Sequence, residues 1–326
     1  MTKREVIMRV RNLSKGFQLK SYRFWDEAKV LHALTDVSFD LFEGETLGVI
    51  GESGCGKSTL GKTIVGLHTA SSGKVFYRNK DLFQLKGQEA KQIKQEIQMV
   101  FQDPYSSLNP RFTARQLIEE PLLVHHLCPS KNERNKRVLE LLHEVGLDVQ
   151  HANRYPHEFS GGQRQRICVA RALALEPKVI ICDEPVSALD VSIQAQVLNL
   201  LNKLQRDQRL TYLFISHDLS VIKHISDRMI IMYLGRIVEM CNADKIYENP
   251  LHPYSKALLS AIPPESPFEK KKRIILKGEI PSPIGTLVGC SLASRCPLCS
   301  EQCLCETPQL LESEKGHFVA CHNYNK

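Results

Sequence analysis

The sequence contains no apolar run long enough to cross a bilayer. Its most apolar stretches, such as residues 178–182 and 228–234, fall far short of the roughly 20 residues a spanning helix needs. The opening MTKREVIMRV lacks the long apolar segment of a secretory signal, so a cytoplasmic location is expected. There is no internal repeat, which argues against two copies of one functional unit in the chain. Nor does one sign of charge dominate. The 43 basic residues against 36 acidic ones give +7, a balance compatible with phosphate ligands, nucleic acid or an anionic membrane surface and decisive for none.

What is present fits one large domain with an appendage, since 326 residues can bury a substantial core. Six of the 11 cysteines, Cys290, Cys296, Cys299, Cys303, Cys305 and Cys321, crowd the last stretch. In a reducing compartment such crowding points to a metal site rather than to disulfides. Residues 6–10 read as a short strand, 20–30 as a polar and aromatic loop insertion, and 46–50 as an apolar strand followed by a Gly-rich turn and a helix over 57–67. Residues 87–146 are richer in helical patterns, with 138–147 amphipathic and ended by Gly146. Apolar strands follow at 179–182 and 212–216 with a helix over 193–205 between them, then a strand, turn and strand over 228–240. This alternation predicts an α/β domain with a largely parallel sheet. From residue 262 proline and charge mark a linker or extended arm, and the basic run 270–273 reads as a solvated face.

Two segments carry chemistry on their own residues. Gly51-Glu52-Ser53-Gly54-Cys55-Gly56-Lys57-Ser58-Thr59 lies between a strand and a helix and fits the P-loop pattern. Its glycines let successive N–H groups face a phosphate chain at a helix N-terminus, Lys57 reaches the β- and γ-phosphates, and Ser58 ligates Mg²⁺. Downstream, the strand 179–182 delivers Asp183 and Glu184 to its exposed end. There Asp183 can support the magnesium and Glu184 can orient or deprotonate the attacking water. These segments together define a P-loop NTPase.

The octapeptide Phe159-Ser160-Gly161-Gly162-Gln163-Arg164-Gln165-Arg166 narrows the class, because it resembles the signature motif of the ABC ATPase family. The resemblance implies the cassette fold: a mixed-sheet α/β core, a helical insert at about 103–168 and an antiparallel β subdomain, together spanning 1–262. It also implies a head-to-tail dimer in which each ATP lies between one subunit's P-loop and the partner's Ser160, Gly161, Gly162 and Gln163. Gln102 matches the family's Q-loop glutamine, which senses magnesium, water and the membrane partner. Ser187 to Asp190 match the D-loop, and His217 matches the switch histidine at the γ-phosphate. Phe17 takes the position of the adenine-stacking aromatic, with Tyr22, Phe24 and Trp25 as rivals and ordinary packing as the alternative for each.

The resemblance covers the whole chain and is strongest to the peptide and nickel importer branch. GETLGVIGESGCGKSTL, FQDPYSSLNPR, NRYPHEFSGGQRQRI and ICDEPVSALDVSIQAQVLNLL carry it, together with the His252-Pro253-Tyr254 segment and GEIPSP at 278–283. The insertion around Phe24 and Trp25 is most similar to the F-type ATPase subunits of oligopeptide permeases. Membership implies a homologous ATPase partner in a heterodimer, two transmembrane permease subunits, an extracytoplasmic peptide-binding protein and a place on the cytoplasmic face of the membrane. Cys290, Cys296, Cys303 and Cys321 match the spacing that in this branch holds a [4Fe–4S] cluster within a C-terminal extension, 263–326. Cys299 and Cys305 are then spare thiols. The alternative ligand is zinc, held by Cys296 and Cys299 with Cys303, Cys305, Cys321 or His322. Against uptake of oligopeptides or dipeptides stand import of nickel or antimicrobial peptides, a non-hydrolysing structural role, and a soluble ABC ATPase acting on nucleic acid or ribosomes. The last usually carries paired cassettes or coiled-coil insertions, which this chain lacks.

Overall fold

The computed structural model describes residues 4–19, 29–262, 273–285 and 288–325. They form two compact units, one centred on Leu85–Ile215 and the other on Glu5–Gln84 with Ser216–Lys326.

In the first unit three strands, Ile97–Val100, Val179–Asp183 and Thr211–Ile215, run parallel in that order. The last two are buried along their whole length, as continuous apolar runs in a covered parallel sheet require. Helices Ala114–Val124, Lys131–Glu144, Gly161–Leu173 and Val191–Gln208 belong to the same unit. Three of the four begin at a Ser or Thr whose side chain accepts an early helical N–H while a Gln or Glu three residues on bonds back. The pairs are Thr113 with Gln116, Ser130 with Glu133, and Ser160 with Gln163.

In the second unit the strands Val30–Phe42, Val6–Gln18, Ser72–Tyr77 and Lys80–Asp81 make an antiparallel sheet in that order. The strand Thr46–Ile50, buried throughout, pairs in parallel with Arg228–Tyr233. That strand turns through Leu234 and Gly235, both at positive φ, into Arg236–Asn242. The cysteine-rich end of the chain contributes to this sheet directly. His317–Val319 pairs antiparallel with Arg236–Asn242 and with Leu311–Glu314. A buried hydrogen bond accompanies this attachment, with His317 Nε2 2.7 Å from Glu239 Oε1 and both side chains fully buried. Glu239 also accepts the N–H groups of Leu251 and His252, at 2.8 and 2.9 Å. Burial alone raises its pKa, but these hydrogen bonds, with His317 foremost, hold it below the ordinary value. A tail poor in apolar residues is thus ordered by the sheet it joins.

Candidate functional site

The helix Lys57–Ile64 starts at Gly56 with no side-chain cap, so the loop before it supplies the geometry of its N-terminus. Gly56 sits at φ 104°, and a Cβ there would lie 2.2 Å from the carbonyl oxygen of Ala33, so only glycine fits. Lys57 is buried, and its Nζ donates to the carbonyls of Gly51 at 2.7 Å and Glu52 at 3.1 Å, closing the loop on itself. Cys55 is buried beneath the loop, which pushes its thiol pKa up. Ser53 and Gly54 are exposed, and Ser58 and Thr59 are half-buried at the start of the helix.

Glu52 is held from outside the loop. Its N–H donates to Tyr254 Oη at 2.9 Å, and its carboxylate pairs with Arg295 Nη1 at 3.3 Å. Sequence reading missed both partners. His252-Pro253-Tyr254 was legible only as a likeness, and Arg295 had no signal beyond its place beside Cys296. His217, in the same unit, is exposed and borders a cavity of about 530 Å³ shared with Glu52, Tyr254, Arg273 and Arg295. Phe17 meets the His68 ring edge-on at 5.3 Å, with Lys15 Nζ 4.8 Å from its centroid. Its rivals Tyr22, Phe24 and Trp25 lie outside the described residues.

In the other unit Asp183 is buried at the end of its strand, and Glu184 follows at φ 46°, a left-handed conformation that costs a non-glycine residue about 1 kcal/mol or more. The Glu184 N–H is fixed by the Ile215 carbonyl at 2.9 Å. Its carboxylate accepts from Gln102 Nε2 at 2.9 Å, which brings together two residues 82 positions apart. Ser160, exposed, caps the helix Gly161–Leu173 and exchanges hydrogen bonds with Gln163. Gly162 packs so tightly that a Cβ would lie 2.3 Å from Ile193 Cγ2. Asp190 is exposed at the start of Val191–Gln208.

At the cysteine-rich end, Cys290, Cys296, Cys303 and Cys321 are at least partly buried, with the Cys290 N–H donating to the Cys303 carbonyl at 2.7 Å, while Cys299 and Cys305 are exposed. Burial, then the charges of Cys303, Cys321 and Cys296, pushes the Cys290 thiol up to about 11. Asn323 directs its backbone N–H at Cys321 Sγ, 3.4 Å away, and its Nδ2 at Cys303 Sγ, 3.5 Å away. Among the described residues, however, no three His, Cys, Asp or Glu side chains are gathered closely enough to hold a metal ion. The expected metal-binding character of the extension is therefore not established by this arrangement. Among the described residues, too, no helix is long and apolar enough to cross a membrane.

Comparison with known proteins agrees with the motifs. The ABC transporter family profile matches residues 34–187, and that of the oligopeptide/dipeptide transporter C-terminal region matches residues 238–303. The oligopeptide transport ATP-binding protein OppF of Salmonella typhimurium is 52% identical over 322 residues, covering 98% of this chain and 96% of the relative. The corresponding AppF protein of Bacillus subtilis is 50% identical, covering 98% of each. Among solved structures, the ATP-binding cassette MJ0796, dimeric and bound to ADP and Pi after hydrolysis, aligns with a TM-score of 0.64 and 32% identity over 72% of this chain and 98% of that one. The chain belongs to the ABC ATPases, as an ATP-binding subunit of the oligopeptide/dipeptide importer family.

Proposed function

We propose that this subunit hydrolyses ATP with Glu184 as the general base, and that Gln102 holds the Glu184 carboxylate for that task. The observation that carries the reading is the 2.9 Å hydrogen bond between them, on a glutamate whose backbone is kept in a costly conformation at a strand end. The loop 51–59 binds the triphosphate, with Lys57 leaving the Gly51 and Glu52 carbonyls for the β- and γ-phosphates. Ser58, Gln102 and Asp183 would hold Mg²⁺, which supplies charge neutralisation at the phosphates. His217 contacts the γ-phosphate, and Phe17 gives up its edge contact with His68 to stack on adenine. Ser160, Gly161, Gly162 and Gln163 serve the nucleotide of a partner cassette, with Asp190 at the dimer interface. The solved relative is itself a dimer after hydrolysis, which supports this pairing.

The partner is a homologous ATPase subunit, and the pair docks beneath two permease subunits fed by an extracytoplasmic peptide-binding protein. The chain then sits peripherally on the cytoplasmic face of the membrane, with peptides as cargo and no nucleic-acid role. Within it, residues 1–262 form the cassette and 263–326 the transporter-specific extension. The four thiols of Cys290, Cys296, Cys303 and Cys321 are the ligand set of a [4Fe–4S] cluster, with zinc as the competing occupant. Support comes from the partial burial of these four cysteines, from the Cys290 N–H that donates to the Cys303 carbonyl at 2.7 Å, and from the two N–H donors that Asn323 turns on the Cys321 and Cys303 sulfurs, the kind of surrounding bond that steadies a thiolate ligand.

The test of the catalytic reading is Glu184→Gln in the reconstituted transporter. ATP binding should persist, while phosphate release falls by about 10²–10⁴-fold. Turnover at the wild-type rate would remove Glu184 from the chemistry.

A further inference from the structure

We infer that Arg295, in the cysteine-rich extension, is a positioning residue for the nucleotide site: it holds and neutralises the Glu52 carboxylate, so the extension sets how tightly the loop binds the phosphates of ATP. The inference rests on the reading of residues 51–59 as the phosphate-binding loop. Glu52 is anchored at three points. Its carbonyl accepts from Lys57 Nζ, its N–H donates to Tyr254 Oη, and its carboxylate meets Arg295 Nη1. Two of these anchors come from the C-terminal region, 202 and 243 residues away in sequence.

The electrostatics give the contact a direction. A carboxylate on a loop that must receive a polyanion repels it, and a guanidinium beside that carboxylate cancels the repulsion. Arg295 is well placed to do so, with a side chain 10% exposed and Nη1 also donating to Tyr233 Oη at 3.2 Å. Its Nε is buried without a hydrogen-bond partner among the described residues, an arrangement that stability alone does not favour. Glu52 is 34% exposed and borders the 530 Å³ cavity, so solvent screens the pair and the effect is modest. Arg295 directly precedes Cys296, so whatever fixes that cysteine also fixes the backbone carrying the guanidinium.

The experiment measures MgATP affinity of the full-length chain by titration calorimetry. Arg295→Met, which keeps the aliphatic stem, should weaken binding by about three- to tenfold, and Arg295→Lys should recover much of the loss. The double variant of Glu52→Gln and Arg295→Met should bind within about twofold of the wild type, because the repulsion that Arg295→Met uncovers is gone with the carboxylate. In the reconstituted transporter the same variant should raise KM for ATP more than it lowers kcat. An unchanged affinity for Arg295→Met, or a double variant as weak as Arg295→Met alone, overturns the inference, since the second is what mere structural damage produces. Should Arg295→Met fail to fold, Glu52→Gln alone decides. Freed of its carboxylate, Arg295 must tighten MgATP binding, and equal or weaker binding overturns the proposal. Lys57→Ala separates the two levels, for if it binds MgATP as the wild type does, the loop reading itself has failed.

Discussion

Gly162 shows how one residue can serve two demands. Its sequence context, Ser160-Gly161-Gly162-Gln163, is legible as a phosphate-facing helix start, and the capping exchange between Ser160 and Gln163 follows from the same pattern. The approach of the helix Val191–Gln208 is not legible, because nothing in the octapeptide reports a partner thirty residues on. With a Cβ only 2.3 Å from Ile193 Cγ2, Gly162→Ala must displace a β-branched side chain on a neighbouring helix. We expect it to lower stability by about 1–3 kcal/mol in urea unfolding. Gly161→Ala meets only the tip of Leu189, at 3.1 Å, and should cost less than half as much. Equal costs for the two would mean that the spacing between these helices does not depend on Gly162. Glu184 gives the complementary lesson. Its acidity and strand-end position are readable, whereas its φ of 46° and its bond to Gln102 arise only when separate segments meet.

Elements were read best where burial imposes a pattern. The fully buried strands Thr46–Ile50 and Val179–Asp183 stand within a residue of expectation. The helix Lys131–Glu144 begins seven residues before the amphipathic stretch at 138–147, since its first two turns are almost wholly polar and are set by the Ser130–Glu133 cap instead. The hairpin of Leu311–Glu314 and His317–Val319 went unread because its outer strand is charged and largely exposed, so its sequence carries no apolar alternation. The short helix Pro253–Ser260 is more telling still, since its cap is a histidine. His252 Nδ1 accepts the Tyr254 N–H at 3.1 Å, which requires the neutral ring, and burial pushes its pKa down from 6.5 to about 4. Neighbouring Glu239 offsets part of that shift and Lys256 adds to it. Between those pH values the unfolded chain takes up a proton that the folded chain refuses, so stability falls as pH drops from about 6.5 towards 4, by up to about 3 kcal/mol. His252→Asn keeps a capping side chain but does not titrate. Its unfolding temperature should start below the wild type at pH 7.5, and the two curves should converge as pH falls to 4. Parallel curves would show that His252 is not the titrating group.

At the scale of the molecule, the C-terminal extension is part of the unit that carries the phosphate-binding loop. It adds strands to that unit's sheet, seals Glu239 with His317, and reaches Glu52 through Arg295. This integration was hidden in the sequence because each contact joins residues scores of positions apart through charge and hydrogen bonding rather than through a periodic pattern. It also bears on the cysteines. With the hairpin already ordered by the sheet, a metal is not needed to fold 311–319, so its effect should be confined to the segment from Cys290 to Cys305 and to Cys321. Anaerobically purified protein should be brown and contain about four iron and four sulfide per chain. Cys303→Ser, at a buried member of the quartet, should abolish the colour and lower the unfolding temperature, whereas Cys305→Ser, at an exposed thiol, should leave both intact. Removing the iron with a chelator should speed proteolysis between 290 and 305 while the sheet hairpin stays protected. A colourless preparation with stoichiometric zinc and neither iron nor sulfide would assign the quartet to zinc, and loss of the hairpin's protection along with the metal would show that the sheet alone does not order the tail.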